Sequence, residues 1–328
     1  MKTKSTIALT LLAGAGLASL HAQPAAVQQF QNTQLAQPQS MLLTNLTVGA
    51  AAPELYRGEN LDVGPQRILR LNPRPHYFDL LFDSQVFYTD NANFAQDPAM
   101  IGSTVFVNTL QAAFTPPELR LGDGKISTSL GAASQWYNYE NNRMSALDFD
   151  AQTFFLAGKY SVGRWQFGAS ANYTRIVNQS DYNETYHEIL PALTVQRVFP
   201  ISDTMLLALG NQVDYHFSDV PTTLGSRSDV NDRFDDMATL TFSWQIRSRL
   251  ILQPYYRFQY SHYQYDTVGT ADRNDYLQTV GVALVYYFNQ TASLRTFFSY
   301  SRKQSNDPFT PAYLEFGGGL GASVNFKF

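Results

Sequence analysis

The chain has 328 residues, enough for one large β domain or two ordinary ones. Only 15% are charged while 14% are aromatic; a soluble domain carries about 25% charged residues, whereas a membrane barrel needs few because every second strand residue meets lipid. The net charge of -4 argues against nucleic acid as a partner, and the absence of cysteine excludes disulfides and lipid attachment through a thiol.

Met1 to Lys4 carry two lysines, Ile7 to Leu20 form an apolar run, and small residues surround Ala22. That order predicts a secretory signal peptide over residues 1–22, cleaved after Ala22, because the run is shorter than the roughly 20 residues of a spanning helix. Residues 23–75 follow as an irregular segment. Gln23 to Ser40 is dense in Gln without sustained periodicity, and Pro53, Gly58, Gly64, Pro65 and Pro73 interrupt the rest. Two readings stay open for it, a periplasmic tail or a plug folded into the interior of the following domain.

From residue 76 the apolar period is two. Leu320, Ala322, Val324, Phe326 and Phe328 alternate with Gly321, Ser323, Asn325 and Lys327. Trp165, Phe167, Ala169, Ala171 and Tyr173 do the same, as do Leu240, Phe242, Trp244 and Ile246. The pattern predicts twelve strands, at 76–89, 103–115, 124–139, 147–161, 165–177, 185–199, 204–217, 236–246, 250–265, 275–288, 292–303 and 316–328. Each is long enough to cross a bilayer at a tilt. Links between them alternate long and short, the pattern of external loops and periplasmic turns in outer-membrane barrels. Trp165, Trp244, Tyr286, Phe288, Phe326 and Phe328 mark one interfacial level, and Tyr88, Tyr173, Tyr215 and Tyr260 the other. The predicted fold is all-β, a transmembrane antiparallel up-and-down barrel over residues 76–328.

Parity then assigns an inner wall. It holds Gln85, Gln135, Gln152, Gln166, Ser170, Asn172, Gln212, Gln245, Gln253, Gln259 and Ser299, joined by the charges Asp79, Asp83, Asp214, Arg257, Arg295 and Lys327. Neutral amides and hydroxyls suit water or an uncharged polar solute. Balanced charges can equally cross-link a wall and leave no path. Eight strands give a filled barrel and sixteen an aqueous channel, so twelve lies between. The leading expectation is a porin-like channel for passive diffusion of small polar solutes. A closed barrel acting structurally or through its external loops is the alternative.

His76, His187, His216 and His262 lie outside the signal segment, and none pairs with another at metal-ligand spacing, so neither a metal nor a cofactor is expected. The Asp-rich stretch from Ser218 to Asp235 lacks the Gly and terminal Glu of an EF-hand loop and reads as an external loop. His216-Phe217-Ser218 resembles the His-x-Ser of outer-membrane phospholipases, whose catalytic groups face lipid. Here Leu207, Leu209, Val213, Tyr215 and Phe217 claim the lipid face, and Asp219-Val220 replaces that family's Asn-Gly. No enzyme is expected.

The ending Val324-Asn325-Phe326-Lys327-Phe328 resembles the terminal signal of bacterial outer-membrane β-barrel proteins. Asp83-Ser84-Gln85-Val86-Phe87-Tyr88-Thr89-Asp90-Asn91 looks like the first strand of β-barrel porins. The resemblance implies a place in the outer membrane of a Gram-negative bacterium. It also implies Val324, Phe326 and Phe328 as an assembly signal. The partners it implies are the barrel assembly machinery, periplasmic chaperones, outer-membrane lipids and lipopolysaccharide.

Overall fold

The computed structural model describes residues 29–30, 76–221, 227–265, 272–310 and 312–328. The signal segment and all of the irregular segment except Gln29 and Phe30 lie outside the described residues. Thirteen strands follow one another: β1 (Phe78–Thr89), β2 (Ser103–Phe114), β3 (Leu119–Leu121), β4 (Gly124–Tyr139), β5 (Phe149–Val162), β6 (Trp165–Asn178), β7 (Glu184–Ser202), β8 (Met205–Asp219), β9 (Arg233–Arg247), β10 (Leu250–Tyr263), β11 (Arg273–Tyr287), β12 (Ala292–Ser305) and β13 (Tyr313–Lys327).

Twelve of them close a ring. Each long strand pairs antiparallel with its chain neighbours, β2 pairs with β4, and β1 pairs with β13 from Asp79↔Lys327 to Thr89↔Gly317. Closure leaves no strand edge to be desolvated without a partner, which is what a bilayer demands of a sheet. Phe328 extends the seam. Its N–H donates to the Phe78 carbonyl at 2.9 Å, and its own carbonyl accepts from the Tyr77 N–H at 2.7 Å. The short β3 is the one strand that the alternation did not predict; it lies in the link after β2 and pairs only with the start of β4.

Turns and loops follow the expected alternation. Residues 163–164, 203–204, 248–249 and 288–291 make the tight ends, while 90–102, 140–148, 179–183, 220–232, 264–272 and 306–312 make the long ones. Gly163 opens its two-residue turn with φ of 59°, a backbone region that glycine enters without steric penalty.

The outer face carries the apolar set. Leu130, Leu156, Leu209, Phe298, Leu320 and Phe326 are all exposed there, each about half accessible. Every second residue between them turns inward and is buried or half-buried, as the pleat requires. Strands run further than the sequence pattern indicated. β9 begins at Arg233 rather than 236, β11 at Arg273 rather than 275, and β13 at Tyr313 rather than 316. The physical reason is that apolar alternation stops at the edge of the lipid belt, while backbone pairing continues into the water beyond it.

Candidate functional site: the barrel lumen

Two kinds of wall face each other inside the barrel. The half built from β1, β2, β4, β5, β6 and β7 turns Phe87, Val105, Val107, Tyr137, Phe149, Ala151, Ile176 and Tyr186 inward. Tyr137 and Phe149 stack with ring centroids 4.2 Å apart. The inner wall is therefore not mainly amides and hydroxyls, as parity alone suggested. In β2 and β5 both faces are apolar, so a hydrophobic pattern carries no sign of which face is inside. Gln152 shows the consequence. It stands on the outer face with the exposed Phe154 and Leu156, while Phe149, Ala151 and Thr153 take the inner positions.

The half built from β8 to β13 is polar and charged. Buried there or on β1 and β4 of the other half are Asp83, Gln85, Gln135, Asp214, Gln253, Arg257 and Arg295. Half-buried on the same inner face are Asp79, Gln166, Ser170, Asn172, Gln212, Gln245, Gln259 and Ser299; Lys327 is exposed at the strand end. Sequence reading missed Arg233, Asp235, Arg273, Asp275, Lys303 and Glu315 on this wall, and Glu188 beside it on β7. Arg233 and Asp235 escaped because they fell before the predicted start of their strand.

Most of these charges are held in three clusters. At the barrel seam, the Arg295 guanidinium forks onto Asp83, Nη1 to Oδ2 at 2.5 Å and Nη2 to Oδ1 at 2.8 Å, and Nη2 also reaches Gln85 at 2.9 Å. The fork passes over Gly321, where a Cβ would stand 2.8 Å from the guanidinium carbon; glycine is needed for that close approach. The second cluster is Asp275, which takes Arg273 Nη2 at 2.5 Å and Lys303 Nζ at 2.9 Å. Arg273 also lies 3.9 Å from the centre of the Tyr263 ring. The third surrounds His216. Its Nδ1 is 2.7 Å from Glu188 Oε2, and its Nε2 is 3.1 Å from both Asp214 Oδ1 and Asp235 Oδ2.

His216 and Ser218 both face inward, as the phospholipase comparison required them not to. The Ser218 hydroxyl donates to Asp232 Oδ1 at 2.9 Å while His216 is engaged by Glu188. The pair is therefore bound into separate contacts rather than aligned as nucleophile and base.

Gln29 and Phe30 lie inside the barrel. They are 2% and 4% exposed, and the Phe30 ring meets Tyr137 edge-on at 6.5 Å. Phe30 joins the apolar half of the wall, whereas Gln29 lines a cavity with Gln85, Phe87, Tyr255, Arg257, Ser301 and Glu315. Among the described residues this cavity is about 40 Å³, room for about three waters on a scale of roughly 10–15 Å³ each.

No protein-family profile matches the sequence, and no curated protein matches it. Among solved structures, an outer membrane channel from Pseudomonas putida F1 is 13% identical with a TM-score of 0.52, over 81% of this chain and 100% of that one. The outer membrane channel DcaP of Acinetobacter baumannii is 13% identical with a TM-score of 0.42, over 76% and 96%. The first likeness shows the shared fold. With its closed ring of twelve long strands and its apolar outer belt, the chain is an outer-membrane β-barrel.

Proposed function

We propose that this barrel is a channel for passive diffusion of small polar solutes, and that its own segment around Gln29 and Phe30 acts as a plug in the lumen. One observation carries the reading. The twelve-stranded wall has room for two further residues of the chain within it, so the bare wall encloses a space at that level which its own side chains do not fill. The polar half of the wall supports a hydrated solute along β8 to β13. Most of the charges there are cross-linked to groups of opposite sign, and among the described residues no ring of one sign favours cations or anions.

The alternative is a closed barrel that works structurally or through its loops. The small remaining cavity and the three cross-linked charge clusters favour it. Planar-bilayer recording separates the two. The full chain should give rare or small current steps, and Phe30→Asp should raise conductance severalfold by making the docked segment costly to bury. Reversal potentials in a salt gradient should stay near zero. A folded Phe30→Asp protein and a folded protein lacking residues 23–74 that both stay silent would sink the channel reading and favour the structural one.

A further inference from the structure

We propose that His216, Asp214 and Asp235 form a binding site for one divalent transition-metal ion of the zinc class, on the inner wall near the external end. The inference rests on the wall alone and holds whether or not the lumen conducts. Asp214 and His216 are two apart on β8 and so point the same way. On β9, Asp235 is the direct cross-strand partner of Asp214, and Arg233 is that of His216. Two aspartates directly opposite repel each other, yet all three side chains are about 95% buried. Something positive belongs between them.

The geometry says where. A neutral His216 that donates its Nδ1–H to Glu188 turns the lone pair of Nε2 toward the two carboxylates. Nε2 then stands 3.1 Å from Asp214 Oδ1 and 3.1 Å from Asp235 Oδ2. Zinc ligands at about 2.0–2.2 Å in a tetrahedron lie roughly 3.3–3.5 Å apart, so the two imidazole–carboxylate distances are within a few tenths of an ångström of that spacing, and all three donor atoms lie within 4.8 Å of one another. Asp214 Oδ1 is buried and has no hydrogen bond of good geometry. Its other oxygen is held by Gln212 at 2.7 Å, which leaves Oδ1 facing His216 Nε2. Glu188, itself fixed by the Tyr186 hydroxyl at 2.6 Å, plays the part of the carboxylate that orients a metal-bound histidine.

Arg233 is the competitor. Its Nη2 is 3.1 Å from His216 Nε2, and its Nε contacts both oxygens of Asp235. Binding an ion requires the planar guanidinium to swing away from His216 Nε2 as a unit, with Gln259 Nε2 still holding Asp235 Oδ2 at 2.9 Å. Three carboxylates meet a single guanidinium here, so a divalent ion beside a neutral imidazole offsets the remaining charge. One nitrogen and two oxygens suit zinc and its neighbours; calcium and magnesium prefer six or more oxygens.

The test uses the full chain folded in detergent without a polyhistidine tag, stripped with chelator and titrated with Zn²⁺ by calorimetry. Folding of each variant is checked by its heat-dependent gel mobility. The wild type should take up one ion per chain, His216→Ala none, and Asp214→Asn at least tenfold less tightly. Glu188→Gln should weaken binding about 10–100-fold, the range for an orienting partner. His187→Ala should leave binding unchanged, although His187 with Glu184 is the exposed site that could mimic it. X-ray absorption on the loaded wild type should find one imidazole and oxygen ligands, which keeps the test open if His216→Ala does not fold. A folded wild type without zinc, loss of zinc that follows His187, or two imidazoles on the ion would each overturn the assignment. The cluster would then be a protonated histidine shared between two aspartates.

Discussion

Removing the Asp83 carboxylate probes the bond that ties the barrel shut. Asp83 on β1 accepts two hydrogen bonds from Arg295 on β12 and a third from the Ser323 hydroxyl on β13, so it couples three strands across the seam. Both partners of the ion pair are 5% exposed. Breaking a buried pair from one side costs about 3–5 kcal/mol because the other charge is left uncompensated. In Asp83→Ala, Arg295 keeps Gln85 and Ser323, which puts the loss at the lower end, about 3 kcal/mol. That is roughly a 150-fold change in the unfolding equilibrium. Arg295→Met strands the Asp83 carboxylate instead, with the Ser323 hydroxyl as its remaining partner, and should cost about 3–5 kcal/mol by the same reasoning. The double variant should recover about 1–2 kcal/mol relative to the sum of the two single changes, which lies within the usual range of coupling energies. Guanidinium unfolding of the barrel in lipid vesicles, followed by tryptophan fluorescence, measures all four proteins. Additivity within about 0.5 kcal/mol would refute the claim that the two groups act as one buried unit.

Three further outcomes are expected. Leu156 sits mid-strand between the outward Leu130 and Ala171; Leu156→Arg should cost about 2–4 kcal/mol, and Gln212→Arg on the inner face far less, so the reverse order in the same unfolding assay would invert the assigned faces. Deleting Phe328 removes the last seam hydrogen bonds and the ring stacked on Phe326 at 6.4 Å; the level of inserted protein in outer-membrane fractions should fall severalfold, and equal levels would move the assembly signal elsewhere. The membrane form should begin at Gln23, and N-terminal sequencing that finds Met1 would remove the argument for a cleaved signal.

Much of the barrel was legible because lipid imposes a rule on single residues. An outward side chain in the bilayer must be apolar, so the alternation of Trp165 to Tyr173 or Leu320 to Phe328 announces a strand and its lipid face without any knowledge of neighbours. Twelve strands, their order and the long–short alternation of links followed from that rule. Inward positions obey no such rule. Phe149 and Ala151 pack against one another's neighbours in the lumen while Gln152 points outward, and nothing in a one-residue alternation distinguishes these cases. Charge partners were equally hidden. Asp83 and Arg295 lie far apart in the chain and meet because closure sets β1 beside β13 and β12, while His216 and Asp235 meet through the register in which β8 pairs with β9. The burial of Gln29 and Phe30 is a further case, since nothing in their own sequence names the wall residues they meet, Tyr137 among them. What sequence alone determined is the part of the protein that answers to the membrane; the lumen, where side chains answer only to each other, was decided by the tertiary structure.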